Sequence, residues 1–494
     1  MGVFEARRQT RPDGSSMTKT RRLRLTVETG LFSVLLSFGL AYSLKAQAPA
    51  QPARELDLGA AIDYALTHYP AVRAALEQLA GAKSGVALAR TSYLPQLNPI
   101  YQANRATQNQ VAGIFLPSSI APSVEGPVLP YAATSFWDTQ AGALLAWEPI
   151  DFGLRRATVE QARSVERKTS ADVELTRLQV ASATGGYFLN LVSAQQVAAA
   201  AQANVRRWET FDQIVRVLVG QDLRPGADAS RADAELAAAR TQFFEAQSGE
   251  QQEKALLAAV LGSAPGSIEV EPQPLLAAPP AESLPSAAPA AHPLALDQQA
   301  SVEESRARQH VLDRTDYPRL FLDSELFARG SGANPDGTPA GGLTGLGLSR
   351  ANWMAGISVV FPNLFDFSAL RDRKRMAQSQ ERSEDAQYQQ MLQDLSGQIN
   401  AAQAGLTAAL RVAGNTPVEL NAAREAETRA QARYKTGLTN LLEVAETEGL
   451  LAQAERDDAV ARIGVWGALF RLAVAQGNVE PFLAMLRSAV GSRP

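Results

Sequence analysis

The chain has 494 residues, of which 46% are hydrophobic and 20% charged, with no cysteine and three histidines. Zero Cys excludes a disulfide framework, a thiolate metal site, a cysteine nucleophile and a lipidated N-terminal Cys anchor. The histidines, His68, His292 and His310, are too scattered for a metal site or a Ser-His-Asp order, so no cofactor and no catalytic centre is expected. The formal charge of −4 hides a more acidic remainder: residues 1–48 hold eight Lys/Arg and three Asp/Glu, and without them the charge is −9. No basic cluster points to nucleic acid. Aromatics at 6% and abundant Ala favour long helices with thin packing seams.

Lys19, Arg21, Arg22 and Arg24 precede an apolar run, Gly30 to Leu44, and the small residues Ala46, Ala48 and Ala50 follow. That order is a secretory signal peptide, residues 1–48, cleaved near Ala48–Ala50, with Met17 as a candidate true start. The run is shorter than the ~20 residues of a comfortable membrane span. An uncleaved anchor is the alternative.

The mature chain repeats itself. Tyr69-Pro70 to Tyr93-Leu-Pro95-Gln-Leu97 is answered by His292-Pro293 to Tyr317-Pro318-Arg-Leu320, at an offset of 223. Asp151-Phe152-Gly153 is answered by Asp366-Phe367-Ser368 at 215, and Arg216 to Gly220 by Arg433 to Gly437. The repeats occupy 55–262 and 292–476, with a Pro/Ala-rich linker at 263–291 and a tail at 477–494.

Each half reads helix, two strands, very long helix, tight turn, long helix. Asp57 caps a helix at Leu58–His68, and Pro70 starts another that Pro95 stops. From Leu154 to Val219 only Gly185-Gly186 interrupts, giving a rod of roughly 100 Å. Ala369 to Thr436 gives a second rod, with Pro417 counting against a straight helix. Fourteen positions from Val173 through Tyr187, Asn190 and Trp208 to Leu218 alternate spacings of three and four, the coiled-coil period.

The strands alternate with period two. In Ser135–Trp147, Trp137, Ala141, Ala143, Leu145 and Trp147 share a face opposed by Asp138 and Gln140. In Arg319–Ala328, Leu320, Leu322 and Leu326 oppose Asp323 and Glu325, and in Asn352–Phe361, Trp353 shares a face with Ile357 and Val359. Trp137 and Trp147 stand ~33 Å apart along a strand, or ~23–25 Å vertically when tilted, the height of an outer-membrane barrel's apolar band. A sandwich strand on a soluble core gives the same alternation. Ala106–Thr134 and Arg329–Arg350 are long, Gly/Pro/Ser/Asn-rich loops. Four strands cannot close a barrel, and an open edge in lipid leaves backbone groups unpaired, so three copies sharing twelve strands are expected.

These motifs, with Tyr434-Lys-Thr-Gly437-Leu-Thr-Asn-Leu-Leu-Glu443-Val, resemble the TolC-like outer-membrane efflux proteins, over about Glu55 to Gly477. The resemblance implies a mainly α fold with a membrane β-barrel contribution. Duplicated helical hairpins form a trimeric α-barrel continued by a shared 12-stranded β-barrel. It further implies a passive duct in the outer membrane of a diderm bacterium with a long periplasmic extension, a homotrimer contacting outer-membrane lipid, a periplasmic adaptor and an inner-membrane pump. It is not an enzyme on this reading.

The resemblance also assigns residues. Val219-Gly220 and Thr436-Gly437 are adaptor-docking tips, though a Gly after a helix end is equally an ordinary cap. Glu443 and Glu446 ring the pore gate, where a solvated helix face beside Glu448 gives the same pattern. Asp228 and Tyr434 join the gate, Tyr434 being equally a packed core residue. The first tip, with its extra Pro225-Gly226, is expected to be about two residues longer than the second. Arg216 and Arg433 are expected to pair with neighbouring carboxylates. Trp137, Trp147 and Trp353 are membrane-interface aromatics. A periplasmic adaptor or a structural coiled-coil envelope protein is the alternative function, and an exported carboxylate hydrolase a more distant one.

Overall fold

Two unbroken helices of 67 and 69 residues dominate the computed structural model. It describes residues 54–107, 135–264, 266, 268–276, 284–332, 334, 338, 340–362 and 367–491. The signal segment, most of the loop at Ala106–Thr134, Asp366 and part of the linker lie outside the described residues. Helix α1 is Leu58–His68, α2 Pro70–Thr91, α3 Leu154–Gly220, α4 Gly226–Leu261, α5 Pro293–Arg314, α6 Phe367–Lys435, α7 Leu441–Ala475 and α8 Glu480–Gly491. Strand β1 is Arg54–Leu56, β2 Gln96–Thr107, β3 Ser135–Ile150, β4 Ile268–Val270, β5 Arg319–Ser331 and β6 Arg350–Val360.

Local chemistry sets the boundaries. Asp57 accepts from the Ala60 N–H at 2.6 Å and starts α1. Pro70 and Pro293 start α2 and α5 at N1, where no N–H is needed, and both helices run 22 residues. The Asp151-Phe152-Gly153 motif is a capping turn. Phe152 and Gly153 take positive φ (50° and 97°), which aims the Asp151 carboxylate at the N–H groups of Gly153 (3.0 Å) and Arg155 (2.5 Å). The Arg155 guanidinium pairs with Asp151, donates to the Ser92 carbonyl and lies 4.9 Å over the Tyr93 ring, fixing the end of α2 to the start of α3.

The sheet order is β2-β3-β5-β6, antiparallel throughout. Register puts Leu97 beside Leu145, Tyr101 beside Ala141, Trp147 beside Leu322 and Leu326 beside Trp353, so one face is mainly apolar, interrupted by Thr139 and Ser324. The opposite face gathers Asn98, Gln102, Gln140, Glu325, Arg329 and Asn352. Trp147 donates its indole N–H to the Tyr93 carbonyl at 3.1 Å, at the helical end of the sheet. Trp137 lies ten residues along β3, under the Arg105 guanidinium. Register sets Trp353 against Leu326 and Ala143, between those two tryptophans along the strand.

A core gathers midway along α3, where α1, the end of α4, the end of α7 and α8 meet it. Trp466 and Phe470 meet Phe482 edge-on at 6.2 and 5.3 Å. The Pro/Ala-rich stretch, expected to lack regular structure, supplies β4, which pairs with β1, and buries Ile268, Leu275 and Leu284 here. Apolar burial outweighs its composition. The tail is equally anchored, through Phe482, Leu483 and Leu486. This gathering also shifts the expected seam: Ala183 and Asn190 are exposed, while Ala181, Phe188 and Val192 are buried.

Gly185-Gly186 does not interrupt α3. The Phe470 ring packs so closely on Gly185 that a Cβ there would overlap it, whereas a Cβ on Gly186 meets nothing. Helix α6 likewise runs through Pro417. Gly185→Ala is expected to lower stability by about 1–3 kcal/mol through overpacking. Gly186→Ala should raise it by about 0.5–1 kcal/mol. Unfolding midpoints of the two detergent-solubilised variants check this; equal midpoints would refute the packing role.

Candidate functional site: the helical tip

At the end of the molecule away from the sheet, α3 turns into α4 and α6 into α7. The α6 turn is a paired-hydrogen-bond glycine cap. Leu438 N–H reaches the Arg433 carbonyl (2.8 Å), Gly437 N–H reaches that of Tyr434 (3.1 Å), and Gly437 has φ 81°. The α3 turn repeats it: Leu223 N–H to Leu218 (2.9 Å), Asp222 N–H to Val219 (3.0 Å), with Asp222 at φ 57°. The partner of Gly437 is therefore Asp222, not Gly220.

Gly220 is the last residue of α3, exposed and without positive φ, and Val219 packs against the local core. Both turns place five residues between helices, at an offset of 215, so the expected extra length of the first tip is not found. Asp222, which tolerates the left-handed region, occupies the position that Gly437 holds in the second half, so residue type alone points to Gly220. The corrected offset makes Asp228 the counterpart of Glu443, each in the first turn of its helix.

Tyr434 is fully buried among Val205, Trp208, Phe211 and Val444. Its hydroxyl donates to Asp228 at 2.9 Å, its ring lies 4.1 Å beneath the Arg224 guanidinium, and Arg224 also donates to its carbonyl. Burial and the Asp228 carboxylate push the phenol up to about 12. Packing and hydrogen bonding thus coincide at Tyr434. Arg224, which sequence reasoning missed, clamps it from the first tip.

Glu443 is engaged within its own chain. Its N–H is capped by Asn440 (3.1 Å), and its carboxylate accepts from Thr439 and pairs with Arg433 at 3.3 Å. Glu446 is exposed and has no partner among the described residues. Thr436 donates to the Ala432 and Arg433 carbonyls, and Leu223 and Leu438 stand exposed at equivalent places in the two turns. Arg216 pairs with Asp212 (2.8 Å) on its own helix and with Asp233 on α4.

Glu448 is no part of a solvated face. At 1% exposure it accepts from Arg207 on α3 (3.1 Å) and Gln431 on α6 (2.9 Å), and Arg207 also pairs with Glu455 (2.9 Å). Burial pushes its carboxyl up and Glu427 adds to this, against the opposing pull of Arg207. Gln431–Glu448 and Arg216–Asp233 occupy equivalent places in the two halves.

Because the carboxyl is raised in the folded state, its contribution to stability falls as pH rises above the ordinary glutamate range. Glu448→Gln should remove that fall, so its unfolding midpoint gains on the parent chain with rising pH. Arg207→Ala, leaving a buried charge unpaired, is expected to cost about 3 kcal/mol or more. A pH-independent gap between Glu448→Gln and the parent would refute this assignment.

Residues 284–478 match the family described as outer membrane efflux protein. The fold is similar to the Vibrio cholerae outer membrane protein VceC (18% identity, TM-score 0.68, 85% of this chain and 96% of that one). It is also similar to the Campylobacter jejuni CmeC outer membrane channel (19%, 0.68, 85% of each chain). The open state of the Neisseria gonorrhoeae MtrE outer membrane channel is a further likeness (16%, 0.67, 88% and 94%). No curated protein sequence matches the chain.

Proposed function

We propose that this chain, whose residues 284–478 match the outer membrane efflux protein family, is an outer-membrane efflux duct, and that three copies close one twelve-stranded barrel and continue it as a periplasmic α-helical tunnel. The similar structures of CmeC and MtrE are outer membrane channels, which supports a channel and not an enzyme. The observation that carries the trimer is the four-stranded sheet with an apolar face and two unpaired edges, β2 and β6. A free edge in hydrocarbon costs several kcal/mol per unpaired group, which edge-to-edge pairing of identical copies removes. The helices of roughly 100 Å then reach far into the periplasm. The duct is passive; a periplasmic adaptor and an inner-membrane pump supply opening and energy. Size measurement of the detergent-solubilised protein tests this: a trimer is expected, and a monomer soluble without detergent would overturn it.

At the tip, the reading is a gate held by Tyr434, Asp228 and Arg224. Adaptor docking at the turns around Val219-Gly220 and Thr436-Gly437, with Leu223 and Leu438 as exposed apolar contacts, favours a splayed arrangement. A hydrogen bond to a carboxylate contributes about 1.5–3 kcal/mol, so Tyr434→Phe should raise the open fraction in planar bilayers by roughly tenfold or more. Unchanged conductance would sink the latch.

Glu443 and Glu446 in three copies form two carboxylate rings that favour cations. Replacing both with Gln should reduce cation preference. Glu446→Gln is expected to contribute more, because Glu443 is already paired with Arg433. Unaltered reversal potentials would remove both residues from the pore.

A further inference from the structure

Where the sheet joins the long helices, the structure holds two grooves that the efflux reading does not use. The first, about 740 Å³, is lined by Phe152, Arg156, Glu160, Arg163, His310 and Arg314 among others, between α3 and α5. The second, about 650 Å³, is lined by Phe361, Phe367, Arg371, Lys374 and Arg375 along α6. Phe367 and Arg371 stand 215 residues after Phe152 and Arg156, so both halves of the chain build the same pair, an aromatic followed one turn later by an arginine.

Most cations in these grooves are already matched. Arg163 and Arg167 pair with Glu160, Arg306 with Glu381, Lys374 with Asp313 and Asp316, and Arg375 with Asp372. Among the described residues Arg156 and Arg371 have no carboxylate partner, and Arg314 contacts only the Tyr317 ring, at 5.2 Å. Phe367 is 72% exposed in the single chain, and Phe152 is 54% exposed with one face of its ring stacked on Tyr317 at 6.5 Å. They follow shortly on the ends of β3 and β6, just below Trp147 and the exposed Ile150 and Phe361. A bare Phe is unfavourable in water and favourable at the boundary of headgroups and acyl chains. On the membrane-barrel reading, an unpaired guanidinium one helical turn beyond such a ring stands beside the headgroup layer, where anionic lipid attracts it.

We propose that Phe152 with Arg156 and Arg314, and Phe367 with Arg371, form paired sites for the headgroup phosphate of an anionic phospholipid, with the aromatic rings against its acyl chains. Guanidinium matches phosphate oxygens in fork geometry, and the duplication gives each chain two such sites. The proposal rests on the reading of the sheet as a membrane barrel.

Native mass spectrometry of the full chain in detergent, with phosphatidylglycerol and phosphatidylcholine as competing probes, tests it. Phosphatidylglycerol should be retained in preference. The Arg156→Gln/Arg371→Gln double variant should weaken that retention by about fivefold, one charge per site, and leave phosphatidylcholine unaffected. Arg156→Lys/Arg371→Lys should restore it in part, and Arg163→Gln, whose charge is matched by Glu160, should not alter it. Equal retention by the double variant overturns the proposal, as does displacement of the lipid by millimolar inorganic phosphate, which would make the grooves soluble-anion sites. Retention of both lipids without preference removes this inference alone. Failure to retain any lipid removes the membrane barrel with it.

Discussion

Backbone hydrogen bonding at the sheet edges is the constraint from which the rest follows. Strands β2 and β6 stand at the two edges of the sheet, and each has one side with no strand partner among the described residues. Beside them lies a mainly apolar face with Leu97, Tyr101, Trp147, Leu326, Trp353 and Ile357. In the proposed barrel that face lies in lipid, which cannot satisfy the edges. Closure by identical copies meets both demands together in that proposal, with the helices beneath set in a ring. The packing midway along α3, where Trp466, Phe470 and Phe482 meet, then holds two very long helices to one geometry.

The two halves are equal in length at the tip but not in chemistry. At an offset of 215, Val219 stands where Tyr434 does, and Asp228 where Glu443 does. The first half gives Arg224 and Asp228; the second gives the tyrosine they hold. These contacts join the halves, so separating one hairpin from the other breaks a hydrogen bond and a ring contact together. Further from the tip, Arg207 bridges Glu448 and Glu455 and ties α3 to α7. At the membrane end the halves stay alike, each keeping its Phe and Arg.

Helix and strand boundaries were legible because single residues set them. Asp57, Pro70, Pro95 and Gly437 each impose a local backbone requirement, and the elements begin or end there. Period two in β3, β5 and β6 gave the apolar face because side-chain alternation is a property of one strand. The tip was legible in part. Tyr434 and Asp228 were named as separate gate residues, but their bond was not foreseen. Gly220 resembles the turn glycine by residue type, but the left-handed position belongs to Asp222. Glu448 read as one more acidic residue on a charged helix, since burial depends on Arg207 and Gln431, 241 and 17 residues away.

By itself the sequence determined the repeat, the long helices, the strand faces and the shortage of strands, all carried by short-range periodicity, composition and backbone preference. Tertiary structure alone decided that Gly185 admits Phe470, that the Pro/Ala-rich stretch packs into the core, that Arg224 covers Tyr434 and that two arginines at the sheet end have no carboxylate partner among the described residues. Those depend on which side chains approach across helices far apart in the chain, and no local pattern encodes that distance.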